Sequence, residues 1–205
     1  MKKIITALML MTVAAASFPM ISSASVKKKD AYKAYRKWIS ASENKDYKKY
    51  KLMDINKDGV NELIATYFSP MYNTDQYAIL TFDGKKVDVK EARSGVASAG
   101  GYRGSTGIDK AKGRIVELSL SSGTGSTYDY ITVIKNGKFV QTVELIDEIK
   151  YSYYSSSTSQ QYLYNQKKIS KSKYNQLSKK YFSGKVTDLE KVKYVSRSKI
   201  KKQLK

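Results

Sequence analysis

Apolar residues recur at helical spacing near the start of the chain, fall into short strand-like runs through its middle, and return to helical spacing towards its end. Ala31, Tyr35, Trp38 and Ile39 share one side of a 3.6-residue period, while Lys33, Arg36 and Lys37 take the other. That spacing predicts an amphipathic helix over residues 28–41 with its apolar stripe against a core. Asn44 to Lys49 is a polar connection, and residues 50–55 lead as a strand into an Asp-rich loop. From there to about residue 165, runs rich in Val, Ile, Thr and Tyr are separated by turn residues, the pattern of a β region. Residues 63–68, 77–82 and 86–91 are strand candidates, the last two joined by the tight turn Asp83-Gly84. Residues 114–121, 128–135 and 138–145 form a three-strand meander through Gly123-Thr124-Gly125 and Asn136-Gly137. Residues 94–107, rich in Gly, Ser and Ala, read as an irregular loop. Residues 151–165, with five tyrosines among serines, suit an edge strand.

Beyond Asn165 the helical period returns. Ser170 is placed to cap a helix whose Tyr174, Leu177 and Tyr181 share a face, with Ile169 set to staple against Tyr174 and Gly184 to stop it. Ser196 repeats the device, with Val195 and Ile200 at matching positions, and opens a final helix through Leu204. No internal repeat of 20–50 residues is present, which argues against a solenoid or a multi-blade propeller. The expected architecture is α+β: an antiparallel β core of hairpins and a meander over about 48–165, an N-terminal helix, and a basic helical C-terminus over 166–205.

Residues 1–24 have the order of a secretory signal peptide. Lys2 and Lys3 open it, an apolar run extends from Ile4 to Phe18, and Ser22-Ser23-Ala24 supplies a small-residue cleavage site. Residues 25–205 are then expected to be one secreted domain, with no transmembrane helix in the mature protein because no later apolar stretch approaches about 18 residues. Export also argues against nucleic acid as the native partner. The formal charge of +20 is unevenly placed. Residues 25–51 hold ten basic and three acidic side chains, 52–165 twelve and thirteen, and 166–205 fourteen and two. Two cationic flanks around a neutral middle suggest contact with an anionic cell-wall polymer or other envelope component outside the cell.

The chemistry is concentrated in Asp54-Ile-Asn-Lys-Asp-Gly-Val-Asn-Glu62. Oxygen-bearing side chains fall at positions 1, 3, 5 and 9, and a glycine at position 6 allows a sharp turn. Asp54, Asn56, Asp58 and Glu62, with the backbone carbonyl of Val60, would offer a calcium ion five or more hard oxygens, water completing the shell. The alternative reading is a polar loop whose Asx side chains bond their own backbone. The first six positions are similar to an EF-hand loop, but Ala65 stands where that motif needs a bidentate Glu, and a strand follows in place of a helix. The pattern Asp-x-Asn-x-Asp-Gly-x-x-Glu-Leu, carried by Asp54, Asn56, Asp58, Gly59, Glu62 and Leu63, more closely resembles the calcium loops of FG-GAP/integrin-like repeats. That resemblance covers about a dozen residues and implies that Glu62 supplies the ligand an EF-hand takes from position 12. With its leader, Lys- and Tyr-rich helix, Asp-rich loop and β region, the whole chain looks like small secreted proteins of Gram-positive bacteria, a group whose members mostly have no assigned function.

The chain has no histidine and no cysteine. This removes Ser-His and Cys-His nucleophile pairs, thiol and imidazole zinc sites, disulfides and a lipid-anchored cysteine. The Ser-x-x-Lys spacings after Ser170 and Ser196 are expected to be helix caps, since no Lys-Thr-Gly follows. A carboxylate-based extracellular hydrolase is the competing class, with Glu117, Asp129 and Glu144 on neighbouring predicted strands as its candidate acids. The favoured expectation is a non-catalytic protein that uses one calcium ion structurally; a cation-rich binder of polyanions without a metal is the other alternative.

Overall fold

A computed structural model describes residues 28–98, 101–151 and 157–205 of the chain; the signal-peptide reading of residues 1–24 lies outside the described residues. Helix α1 (Lys28–Ser40) comes first. Strands β1 (Lys49–Met53), β2 (Glu62–Ser69), β3 (Thr74–Phe82) and β4 (Val87–Val96) follow as hairpins. Strands β5 (Tyr102–Asp109), β6 (Arg114–Ser121), β7 (Thr127–Lys135), β8 (Lys138–Tyr151), β9 (Thr158–Tyr164) and β10 (Lys167–Ile169) continue the meander. Helix α2 (Lys171–Phe182), the two-residue strands β11 (Thr187–Asp188) and β12 (Val195–Ser196), and helix α3 (Arg197–Gln203) complete it. The expected α+β class is correct: mostly antiparallel β, with helices at both ends of the described chain.

Twelve antiparallel strands form one hydrogen-bonded sheet in which β1 to β10 are neighbours in chain order. It does not lie flat. Strands β4 and β5 pair only at Gly95↔Gly104 and Val96↔Arg103, so the two meanders separate along the rest of their length. Where β4 has left, β11 takes its place beside β5, with Thr187 opposite Ile108. At the other edge β12 pairs with β1. The C-terminal segment therefore bridges both meanders.

This bend explains why β2 and β3 are buried on both faces. Alternate residues Leu63, Ala65, Ala78 and Leu80 pack outward beneath α1 and α3, against Tyr35, Ile39, Ile200 and Leu204. Their neighbours Ile64, Tyr77 and Ile79 point inward and meet Ile108, Ile115, Ile134 and Leu189. Such two-sided burial suits the near-continuous apolar run of β2. A third cluster forms where Leu177 of α2 covers Ile131, Val143 and Leu145, with Ile169 and Tyr174 at its side. The caps are as expected: Ser170 accepts from Lys173 N, and Ser196 from Lys199 N.

Three local readings change. The described part of 94–107 is not an irregular loop but the end of β4 and most of β5. Small residues there do not end the strands, because Ser94 Oγ accepts from Thr106 N at 2.8 Å and Thr106 Oγ1 donates to Arg93 O at 2.9 Å, adding side-chain bonds where the backbone ladder opens. Of the 151–165 edge-strand reading, residues 152–156 lie outside the described residues, and β9 is an edge over Thr158–Gln161 only, since β10 pairs beside Tyr162–Tyr164. The C-terminal forty residues are helical only in α2 and α3; between them lie β11, β12 and a 3-10 turn, Leu189–Lys191, whose Leu189 is fully buried.

Candidate metal centre

The Asp54–Glu62 loop joins β1 to β2 and straddles two cores. Ile55 is fully buried among the inward-facing residues, while Val60 packs from the other side against the cluster beneath α1. Pulling two apolar side chains to opposite faces within six residues demands a tight reversal. Lys57 (φ 63°) and Gly59 (φ 86°) provide it from the left-handed region, which glycine enters at little cost and lysine does not. Lys57 is compensated by a hydrogen bond from its Nζ to Ala111 O at 2.9 Å. Ala111 lies in the turn between β5 and β6, and Gly113 of that turn is so close that a Cβ there would sit 3.1 Å from Ile55 O. The loop thus docks one meander onto the other.

Its polar atoms are directed inward and towards the loop's own backbone. Asp54 Oδ2 accepts from Gly59 N at 3.1 Å, and Asp58 Oδ1 accepts from Val60 N at 2.8 Å. Asn56 Nδ2 donates to Asp58 Oδ2 at 2.8 Å, and Asn56 Oδ1 accepts from Asp58 N at 3.3 Å. Glu62, 1% exposed, receives Ile55 N on Oε2 at 2.8 Å and the Thr81 hydroxyl on Oε1 at 3.4 Å. Two groups have no partner. Asp54 Oδ1 is buried with none, and so is the hydroxyl of Tyr35, a fully buried α1 residue.

The electrostatics carry the same imbalance. Burial pushes the Glu62 carboxyl up to about 8, and the charges of Asp58 and Asp54 add to that, against the lowering effect of the Ile55 hydrogen bond. Burial, then the charges of Glu62 and Asp58, raises the Tyr35 phenol far above its ordinary range, which places that ring within reach of the loop's field. All four expected side-chain ligands, together with Val60, therefore belong to one loop. Among the described residues, however, no group of three acidic side chains lies close enough together to hold a metal ion as it stands. The hydrogen bond that ties α1 to the loop comes from Asn61 Nδ2, which donates to the Tyr32 hydroxyl at 2.8 Å; the α1 stripe is visible in the spacing, but this contact is not.

The candidate hydrolase acids are divided by the sheet. Glu117 is opposite Tyr130, and Tyr130 opposite Glu144, so these three project from one face of β6, β7 and β8. Asp129 pairs with Leu118 and Leu145 on the other face, where burial pushes its carboxyl up to about 6. Glu117 is matched by Lys90, with Nζ 2.7 Å from Oε2. The basic flanks are also re-sorted in space: α3 shares its core with α1 and is tied to it by a hydrogen bond from Arg36 Nη1 to Leu204 O, whereas α2 covers the distant β7–β9 face. No helix among the described residues is long and apolar enough to cross a membrane. The chain matches no protein-family model, no curated protein and no solved structure.

Proposed function

We propose that this is a non-catalytic β scaffold, secreted and acting at the cell envelope or beyond it, in which one calcium ion sits in the Asp54–Glu62 loop as a structural part. The observation that carries the reading is the buried, unpartnered Asp54 Oδ1, in a loop that also holds Asp58 and the deeply buried Glu62 carboxyl, with no basic side chain bonded to any of them. A buried acceptor and a buried carboxylate are costly unless paired with a cation. Asp54, Asn56, Asp58 and Glu62 would hold the ion with the Val60 carbonyl, and the ion would supply charge balance and loop rigidity, not reaction chemistry. Because the loop docks one meander on the other, fixing it would fix the bend of the whole sheet. The pairing of α1 with α3 favours a single lysine-rich surface as the contact for an anionic envelope polymer, with Lys29, Lys33, Lys37, Lys199 and Lys202 all exposed.

Thermal unfolding with and without calcium tests the metal assignment. Calcium should raise the melting temperature of the protein but not of Asp58→Ala. An equal loss for that variant in both conditions would make the loop an ordinary polar turn.

A further inference from the structure

The layers of the fold put two lysine-rich helical regions on opposite outer surfaces. Helices α1 and α3 cover one face of the first meander, through Leu63, Ala65, Ala78 and Leu80. The other face of that meander, through Ile64, Tyr77 and Ile79, meets Ile108, Ile115 and Ile134 of the second. Helix α2 covers the far face of the second meander, where Leu177 packs on Ile131, Val143 and Leu145. In order through the molecule the layers are therefore α1 with α3, the first meander, the second meander, and α2. Each step of such a stack is about 10 Å, so the two helix layers lie roughly 30 Å apart. That is several times the screening length of about 8 Å at physiological salt, and the two surfaces act on ions independently.

The α2 layer is cationic in its own right. Between Gln166 and Thr187 the chain has seven lysines and no acidic residue. All seven are exposed, and among the described residues none of them forms an ion pair. Asp129 and Asp147, whose charges act on the Tyr174 phenol, belong to the strands beneath the helix, and Asp147 Oδ1 is engaged by Gln160 Nε2 at 2.7 Å.

Helix stability does not account for these lysines. Lys179 and Lys180 are in the last turn of α2, where the helix dipole favours positive charge, but Lys171 and Lys173 are in the first, where it disfavours it. Lys167 and Lys168 are on β10, outside the helix altogether. What the seven share is a direction, outward from the second meander.

We infer that α2 with β10 is a second contact for an anionic polymer, facing away from the α1–α3 surface, and that one molecule bridges two polymer strands. The inference rests on the polyanion contact proposed above and is independent of the calcium ion. Lysines spread along a strand and a helix match a row of negative charges better than one small anion. Because the two contacts face apart, a strand held by one does not reach the other without wrapping round the molecule, so each contact takes its own strand.

The test mixes the purified protein with long-chain inorganic polyphosphate and reads two quantities: retention on the immobilised polymer, and light scattering by assemblies in solution. The unmodified protein should show both. Lys168→Glu with Lys171→Glu and Lys173→Glu alters exposed residues only, and two of the three changes put an acid in a first helical turn, which favours the fold. This variant should still be retained, through α1 and α3, but lose the scattering. Lys85→Glu with Lys110→Glu and Lys135→Glu, an equal change of charge at three exposed hairpin ends outside both helix layers, should keep both. Scattering by the α2 variant equal to that of the unmodified protein, loss of its retention, or an equal loss of scattering in the hairpin variant would overturn the bridging. No retention of the unmodified protein would overturn the polyanion contact itself, and the bridging with it.

Discussion

The buried carboxylate of Glu62 accepts a hydrogen bond from the backbone N–H of Ile55 at 2.8 Å, so the last residue of the Asp-rich loop holds the second residue in place. This contact closes the loop from inside the protein. It leaves a carboxyl group buried without a basic partner.

Glu62 makes the calcium-free protein sensitive to pH. Its folded-state value of about 8 lies above the ordinary 4.5, so the protonated form is the one folding favours. The stability it contributes is fully present below about pH 4.5 and is lost as pH rises through about 8. Melting temperatures of the chelator-treated protein should fall across that window. Glu62→Gln, which retains an acceptor for Ile55 N, should flatten the fall, and so should saturating calcium. A slope that is unchanged in Glu62→Gln would assign the pH dependence elsewhere.

Tyr35 buries its hydroxyl without a partner, and Tyr35→Phe removes that hydroxyl while keeping the ring. The expected result without calcium is an unchanged or higher stability, by up to about 1–3 kcal/mol, the usual cost of an unsatisfied buried group. A loss of more than about 1 kcal/mol in denaturant unfolding would show that the phenol has a partner at the loop.

Arg114 fixes α2 to the second meander. Its Nε is 2.9 Å from Asp109 Oδ2 and its Nη2 donates to Tyr181 O at 2.7 Å, with both charged residues nearly buried. Arg114→Ala would leave Asp109 buried without its ion pair, held only by the Lys112 N–H on Oδ1, and is expected to cost about 3–5 kcal/mol. Arg114→Ala and Asp109→Ala combined should cost less than their sum in a double-mutant cycle.

The lysine-rich α1–α3 surface requires charge substitution and not truncation for its test. Deleting residues 166–205 would remove Leu177, Leu189, Ile200 and Leu204 from three separate core clusters, and so would unfold what it was meant to probe. Lys33→Glu with Lys37→Glu and Lys199→Glu should instead reduce retention on anionic cell-wall polymer, and retention by the unmodified protein should weaken steeply with salt. Retention that is insensitive to both would remove the electrostatic contact.

Local spacing carried much of this architecture. The α1 stripe of Ala31, Tyr35 and Ile39 is buried as its period requires, and the Ser170 and Ser196 caps and the strands around Asn136-Gly137 are where their chemistry puts them. What spacing could not reveal is non-local. Ser94 and Thr106 read as loop residues because their strand character arises from bonds to one another across twelve positions. Thr187 and Asp188 became a strand only because β4 leaves the side of β5. The same limit applies to the candidate site: the Asp54–Glu62 loop is contiguous and therefore legible, whereas its ties to Tyr32 of α1 and to Ala111 of the second meander join residues far apart in the chain.

The most direct measurement is a calorimetric titration of the chelator-treated protein with calcium, and separately with magnesium. One calcium ion bound per chain, lost in Asp54→Ala and not matched by magnesium, is the result expected of this loop. No heat of binding for either ion would contradict it, leaving Asp54, Asn56 and Asp58 as a turn that bonds only its own backbone.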